Sequence, residues 1–200
     1  MKSRLTFLDI AKVITEIKDL INCRLANIYD LNAKSILLKF SQAESKEFLL
    51  VDPGTRIHKS DYLVEKSDPS AFNIKLRKYL RTKRLVDISQ LGTDRIVQLT
   101  FGTLDQLFLF CEFYSQGNII LTDSQYKIIA LLRIVPDKHA VGLIYDPSEC
   151  YSRVEMTRER LEAMMDKDFG RDFKKRLHLD YPIVILDHVF NGNKMKLNRN

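Results

Sequence analysis

Six of the ten residues from Lys75 to Arg84 are lysine or arginine, the sharpest local feature of this 200-residue chain. On a helix turning about 100° per residue, Arg77, Lys78, Arg81 and Arg84 fall on one arc and Phe72, Leu76, Tyr79 and Leu80 on the opposite one. One face packs and the other forms a cationic stripe. Long cationic side chains in such a row can follow phosphates, with an affinity that falls steeply with salt. Charge alone leaves other occupants open: plain solvent, an anionic membrane surface or an acidic protein. The chain has no tryptophan and no clustered aromatic set, which argues against a base-stacking platform for single strands. An RNA partner would therefore be read by its shape and backbone.

Other chemistry is sparse. Cys23, Cys111 and Cys150 are odd in number and widely spaced, so neither a disulfide framework nor a CxxC metal site can be drawn. His58, His139, His178 and His188 form no HExxH or Cys/His ligand set, and GxSxG, P-loop and GxGxxG motifs are absent. The expectation is a non-enzyme without cofactor or metal. The 32 Lys and Arg against 26 Asp and Glu leave a modest net charge of +6, and 45% hydrophobic with 29% charged residues is globular composition that excludes a largely disordered chain. No apolar run approaches the roughly 20 residues that cross a bilayer, and MKSRLTFLDI has no signal-peptide pattern, so a cytoplasmic protein without membrane contact is expected.

These residues must be positioned by surrounding elements. Residues 6–23 carry apolar side chains at spacings of three and four, a helix whose N-cap is Thr6 and whose capping-box partner is Asp9. Strands are expected at 24–31, 35–40 and 48–51, with a polar loop at 41–46, a turn at 52–55 and an exposed loop at 60–69. The basic helix begins at Ser70 and runs to Arg81 or Lys83. Strands follow at 85–88, 94–101, 106–114, 118–122 and 127–135, the second alternating so that one face is largely apolar. The fold class is α+β, mainly antiparallel sheets with flanking helices, and Leu8, Ile14, Ile17, Val97, Leu99, Phe101, Leu109 and Ile120 are expected in its core. Residues 1–150 form this domain, with a linker near 136–155. Residues 151–200 form a helical segment, with charged helices at 157–165 and 168–177 and an ambiguous apolar run at 182–190.

A longer pattern overlies these elements. Met1-Lys2-Ser3-Arg4, Leu8-Asp9, Arg24 to Asp30, Gly54 to His58, Pro69 to Phe72, Leu76 to Leu80, Arg84-Leu85, Gln90 to Val97 and Gly117 to Asp123 together resemble, in order, the N-terminal (NFACT-N) domain of the NFACT family. Bacterial members of that family were first described as fibronectin-binding proteins. The resemblance runs to about Val135 and then thins. Residues 177–182 resemble the entry to the family's helix-hairpin-helix region, but Pro182-Ile183 stands where a glycine is expected.

The resemblance implies a ribosome-quality-control factor. Such a factor binds a large ribosomal subunit holding a stalled peptidyl-tRNA, recruits aminoacyl-tRNA so that a C-terminal tail grows without a message, and supports a listerin-type ubiquitin ligase. It also implies tRNA-binding roles for Asp9, Asp94 and Arg95, beside the nucleic-acid backbone contacts of Arg77, Lys78, Arg81 and Arg84. Arginine can grip phosphate bidentately, and a carboxylate can accept from an amino or hydroxyl group. The plainer readings stand beside these: Asp9 caps its helix, and Asp94-Arg95 is a turn-to-strand pair. The family's N-terminal fold is similar to that of base-excision glycosylases, whose nucleophile is an N-terminal proline followed by glutamate. Here Lys2-Ser3 follow Met1, so glycosylase chemistry lacks its nucleophile. A non-catalytic nucleic-acid-binding or adhesion module is the alternative.

Overall fold

The computed structural model describes residues 4–42, 45–61 and 68–150, and the helices and apolar run expected beyond 150 lie outside them. Helix α1 (Phe7–Ile17) starts at the Thr6 cap and turns Ile10, Ile14 and Ile17 inward. A short 3₁₀ turn (Lys18–Leu20) ends it earlier than the apolar pattern suggested, and Asn22 follows in the left-handed region at φ 75°. Leu8, expected in the core, is 40% exposed. It lies two residues, or about 200° of helix, away from Ile10 and so faces outward. The other seven residues expected in the core are buried.

Strands β1 (Arg24–Asp30), β2 (Ile36–Gln42), β3 (Ser45–Asp52) and β4 (Arg56–Lys59) form an antiparallel meander in that order. The hairpin of β2 and β3 consumes most of the expected polar loop, because pairing carries the strands out to Gln42 and Ser45. β4 is unannounced by its sequence, having one buried apolar residue, Ile57, and it exists because β3 supplies a pairing edge. Helix α2 (Ala71–Leu80) leads into a second meander of β5 (Leu85–Gln90), β6 (Ile96–Phe101), β7 (Leu107–Glu112), β8 (Asn118–Thr122) and β9 (Ile128–Leu131). The molecule is α+β, and one cluster of buried side chains draws on both helices and both sheets. Among the described residues no helix is long and apolar enough to cross a membrane.

The second sheet is covered on both faces, so the one-sided alternation expected for β6 gives way to nearly continuous burial in β6, β7 and β8. The cover on its far face is the stretch 136–150, expected as a linker. It is irregular, yet Tyr145 is only 4% exposed, with its ring 4.2 Å from that of Phe110, and Ile128 N donates to Leu143 O at 2.8 Å. An apolar patch of Ile96, Phe108, Phe110 and Ile120 drew it down.

The two halves repeat. β1–β2 and β5–β6 are offset by 60 residues, each pair preceded by a helix, with the same residue at Leu20 and Leu80, Arg24 and Arg84, Leu25 and Leu85, Ile28 and Ile88, and Ile36 and Ile96. Each first strand bulges at one place, Leu25/Asn27 and Leu85/Asp87, and each helix is followed by a left-handed residue, Asn22 and Thr82. Four backbone bonds join the repeats reciprocally: Leu25 N to Lys83 O at 2.9 Å, Leu85 N to Cys23 O at 3.0 Å, and Asn22 N to Leu85 O and Thr82 N to Leu25 O, both at 2.8 Å. An approximate two-fold axis passes between Arg24 and Arg84.

A second junction joins the sheets where the turn after β3 meets the turn before β8. Gly54 N donates to Glu112 O at 3.1 Å, and Gly117 sits at φ 71°. A Cβ on Gly117 would overlap Gly54 N and the Pro53 carbonyl carbon, both of them backbone that cannot swing aside. Gly117→Ala should therefore lower the unfolding free energy by about 3 kcal/mol or more. Urea unfolding checks this; a midpoint equal to the parent's would show that the two turns are free to part.

Candidate nucleic-acid interface

Ser70 caps α2, its Oγ accepting from Asn73 N at 3.1 Å, while its own N and Oγ donate to Asp30 at 2.7 and 3.0 Å. The helix therefore lies along β1, the edge strand of the first sheet, whose outward backbone groups beyond Leu25 need partners. Arg77 answers one of them: Nε and Nη2 both donate to Ile28 O, at 2.8 and 2.5 Å, and the guanidinium stands 5.8 Å from the Tyr29 ring. Expected on the exposed arc, Arg77 is instead half-buried and its charge is spent on the sheet edge.

The rest of the basic run does not form one helical stripe. Lys78 is exposed on the helix, with Nζ 5.7 Å over the Tyr79 ring. The helix stops at Leu80, Arg81 is its C-cap at ψ 141°, and Thr82 turns left-handed at φ 66°. Arg84 therefore leaves the helical arc and lies on the approach to β5, opposite Arg24. Arg24 is a member of the exposed cationic group that spacing along one helix could not find. The signal that could have found it is the Arg-Leu pair recurring 60 residues on.

The acidic candidates meet at the other end of β5. Asp9 closes the capping box: Oδ2 accepts from Thr6 N and Thr6 Oγ1 at 2.7 and 2.6 Å, and Asp9 N donates to Thr6 Oγ1 at 3.3 Å. Asp94 and Arg95, expected to begin a strand, lie in the turn before β6, where Asp94 Oδ1 accepts from Arg95 N at 2.6 Å. The register of β6 with β7 begins at Ile96, and Arg95 O accepts from Phe113 N at 2.8 Å, so only Arg95 of the two touches the edge of the ladder. Gln90 joins this turn to the helix: its Nε2 donates to Phe7 O at 3.1 Å and to Asp94 O at 2.7 Å. Asp9, Asp94 and Arg95 thus share one corner. The basic group stands one strand away, about 20 Å for the six residues of β5.

Beside that corner opens a cavity of about 440 Å³ lined by Asp94, Glu112, Tyr114, His139, Tyr145 and Cys150 among others. Glu112, at the end of an otherwise apolar strand, is 2% exposed and accepts from Tyr145 Oη at 3.3 Å. Burial pushes its carboxyl above the usual carboxylate range, opposed by hydrogen bonds from Tyr114 and Tyr145. Burial also lowers the His139 imidazole, whose Nδ1 has no partner, and raises the Tyr145 phenol. A lone Glu after Leu107-Phe108-Leu109-Phe110-Cys111 was the signal for this site. Among the described residues no group of His, Cys, Asp or Glu is placed to hold a metal.

Two meander sheets, each led by a helix, define an α+β domain that carries acidic and basic groups at opposite ends of β5. Residues 6–175 match NFACT_N, described as the NFACT N-terminal and middle domains, and the chain belongs to this family. It is 39% identical over 188 residues to ribosome quality control complex subunit 2 of Schizosaccharomyces pombe, covering 84% of this chain and 18% of that protein. It is likewise 39% identical over 211 residues to ribosome quality control complex subunit NEMF of Homo sapiens, covering 96% and 20%. The chain therefore spans about a fifth of the length of these relatives. The N-terminal domain of the fibronectin-binding protein PavA from Streptococcus pneumoniae shares the fold, with a TM-score of 0.74 at 20% identity over 98% of this chain and 83% of that one.

Two outcomes follow from these contacts. Arg77→Gln should cost about 1–3 kcal/mol of unfolding free energy through its charged bonds to Ile28 O, and an unchanged urea midpoint would return Arg77 to the exposed stripe. Glu112 has a folded pKa raised above its unfolded one, so its contribution is fully present below about pH 4 and is lost as pH rises through the folded value. Glu112→Gln should accordingly be more stable than the parent at pH 7, with the gap closing below about pH 4. Thermal unfolding across pH 3 to 8, on the order of one scan per pH unit, checks the sign.

Proposed function

We propose that this chain is the tRNA-engaging part of a ribosome-quality-control factor. In this reading the whole protein binds the large ribosomal subunit with its stalled peptidyl-tRNA, recruits aminoacyl-tRNA for message-independent C-terminal tailing, and supports a listerin-type ubiquitin ligase in the cytoplasm. It is not an enzyme. Bond formation belongs to the ribosome, and the factor contributes position, which converts an encounter into a near-intramolecular reaction. The family membership and the names of its relatives support the general role.

The observation that carries the site is Gln90, whose one amide holds the start of α1 and the Asp94 turn together. Asp9, Asp94 and Arg95, remote in sequence, then offer two carboxylates and a guanidinium to one ligand. Asp9 does this while capping its helix. Lys78, Arg81 and Arg84 follow RNA backbone, and Arg77 serves the sheet edge. A ligand touching both ends of β5 must extend about 20 Å, which suits a folded RNA better than a small molecule. The same reading takes the two-sheet unit as a relative of the glycosylase N-terminal domain, without its chemistry, and residues 151–200 as the start of a helix-hairpin-helix region.

Replacing Asp94 and Arg95 together by Ala in the full-length factor should abolish tail addition while cosedimentation with large subunits persists, since subunit binding is spread over a broad surface. Thermal unfolding is measured alongside. Normal tailing removes the pair from the site, and a collapsed midpoint assigns it to holding the turn.

A further inference from the structure

Arg24, the first residue of β1, and Arg84, just before β5, are paired across an isolated antiparallel bridge. The hydrogen bonds lie on the residues to either side, Leu25 N to Lys83 O and Leu85 N to Cys23 O. That makes the arginines a non-hydrogen-bonded pair, the narrow kind with Cα atoms about 4.5 Å apart and both side chains on one face. Both residues are exposed. Arg24 Nη1 donates to Thr82 O at 2.9 Å, which fixes one guanidinium beside the chain that delivers the other. Among the described residues, no ion pair engages Arg24, Arg81 or Arg84.

Like charges set directly opposite destabilise a strand pair. The four reciprocal backbone bonds hold these two in place nonetheless, and among the described residues no carboxylate pairs with them. We propose that Arg24 and Arg84 form a clamp for a single phosphate of an RNA backbone, seated on the approximate two-fold axis. This rests on the RNA-binding reading above and adds to it a discrete site. Two planar guanidinium forks approaching one anion from opposite sides can satisfy several of its oxygens at once, which dispersed lysines cannot. The same fork chemistry would take a lipid phosphate, but the exposed large apolar residues of the described chain are Leu8, Ile74, Leu104, Ile134, Val141, Leu143 and Ile144. Of these only Leu104 comes near the pair, two residues on from Gly102, whose N donates to Arg84 O at 2.9 Å, and one side chain is a small apolar anchor for a membrane-surface site.

The test uses the full-length factor and unacylated tRNA over a potassium chloride series, with Arg24→Gln, Arg84→Gln, the double variant and, as comparison, Lys34→Gln in the exposed turn between β1 and β2. One shared phosphate predicts coupling. Each single substitution should weaken binding about fivefold to tenfold, the double should lose much less than the product of the two, and its log–log salt slope should fall by about one. Lys34→Gln should change the affinity by less than about threefold. Arg84→Lys keeps the charge without the fork and should recover the slope but only part of the affinity. Arg24→Gln also loses the bond to Thr82, so thermal unfolding is run on each variant; Arg84→Gln, whose side chain holds no backbone group, carries the test if Arg24→Gln unfolds.

A double variant that loses the full product of the singles, with a slope reduced by about two, would mean two separate contacts and overturn the clamp. Variants binding tRNA as the parent does would remove the pair alone, and pair-dependent binding to phosphatidylserine vesicles without any to tRNA would assign it to lipid. A parent protein that binds neither tRNA nor large subunits would overturn the functional reading and the clamp with it.

Discussion

Four backbone hydrogen bonds between residues 22–25 and 82–85 set the geometry on which the rest of the molecule depends. They join two half-domains that each consist of a helix leading into a meander. Backbone donors and acceptors buried at such a junction must find partners, and here each half supplies the other's. The left-handed turns at Asn22 and Thr82 exist to present those groups, at the conformational cost that non-glycine residues carry there. Because the junction is reciprocal, whatever one half places beside it the other half places again. Two opposed arginines are the result.

The same demand for satisfied backbone explains why individual charged and polar side chains stand where they do. β1 is an edge, and α2 covers it with Arg77 and Asn73, both of which reach Ile28 O. Gln90 bonds two carbonyls, one at the start of α1 and one in the Asp94 turn. Structural bonding thus removes Arg77 from the ligand-facing surface and, by the same kind of bond, assembles the corner that holds Asp9, Asp94 and Arg95. Positioning groups are best held by bonds of their own, and Asp9 illustrates how a cap and a ligand contact can coexist in one carboxylate with two oxygens.

Electrostatically the unit is polarised along β5. Exposed arginines gather where the halves join, and carboxylates gather around the cavity of Glu112, Tyr114 and Tyr145 at the far end. The buried carboxyl of Glu112 is costly in ionised form, so the two phenols that hydrogen-bond to it limit the penalty without removing it. A net charge of +6 would not disclose this separation, since a sum has no direction.

Much of the local structure was legible in the sequence because its causes are local. The Thr6–Asp9 capping box, the apolar spacing of α1, the Ser70 start of α2 and the strands of the second sheet depend on near neighbours, and the ordered motifs from Met1 to Val135 placed the chain in its family. What sequence periodicity could not decide was decided by pairing and cover. β4 formed because β3 offered an edge, the stretch after Pro136 packed because β6, β7 and β8 left an apolar face open, and Leu8 turned outward because burial of Ile10 put it about 200° away on the far side of α1. Helical projection put Arg77 and Arg84 on one arc. Tertiary structure bent Arg77 into a sheet edge and carried Arg84 past the helix end to face Arg24, because a side chain's neighbours across the fold, rather than its spacing along the chain, determine which charges remain exposed and which stand together.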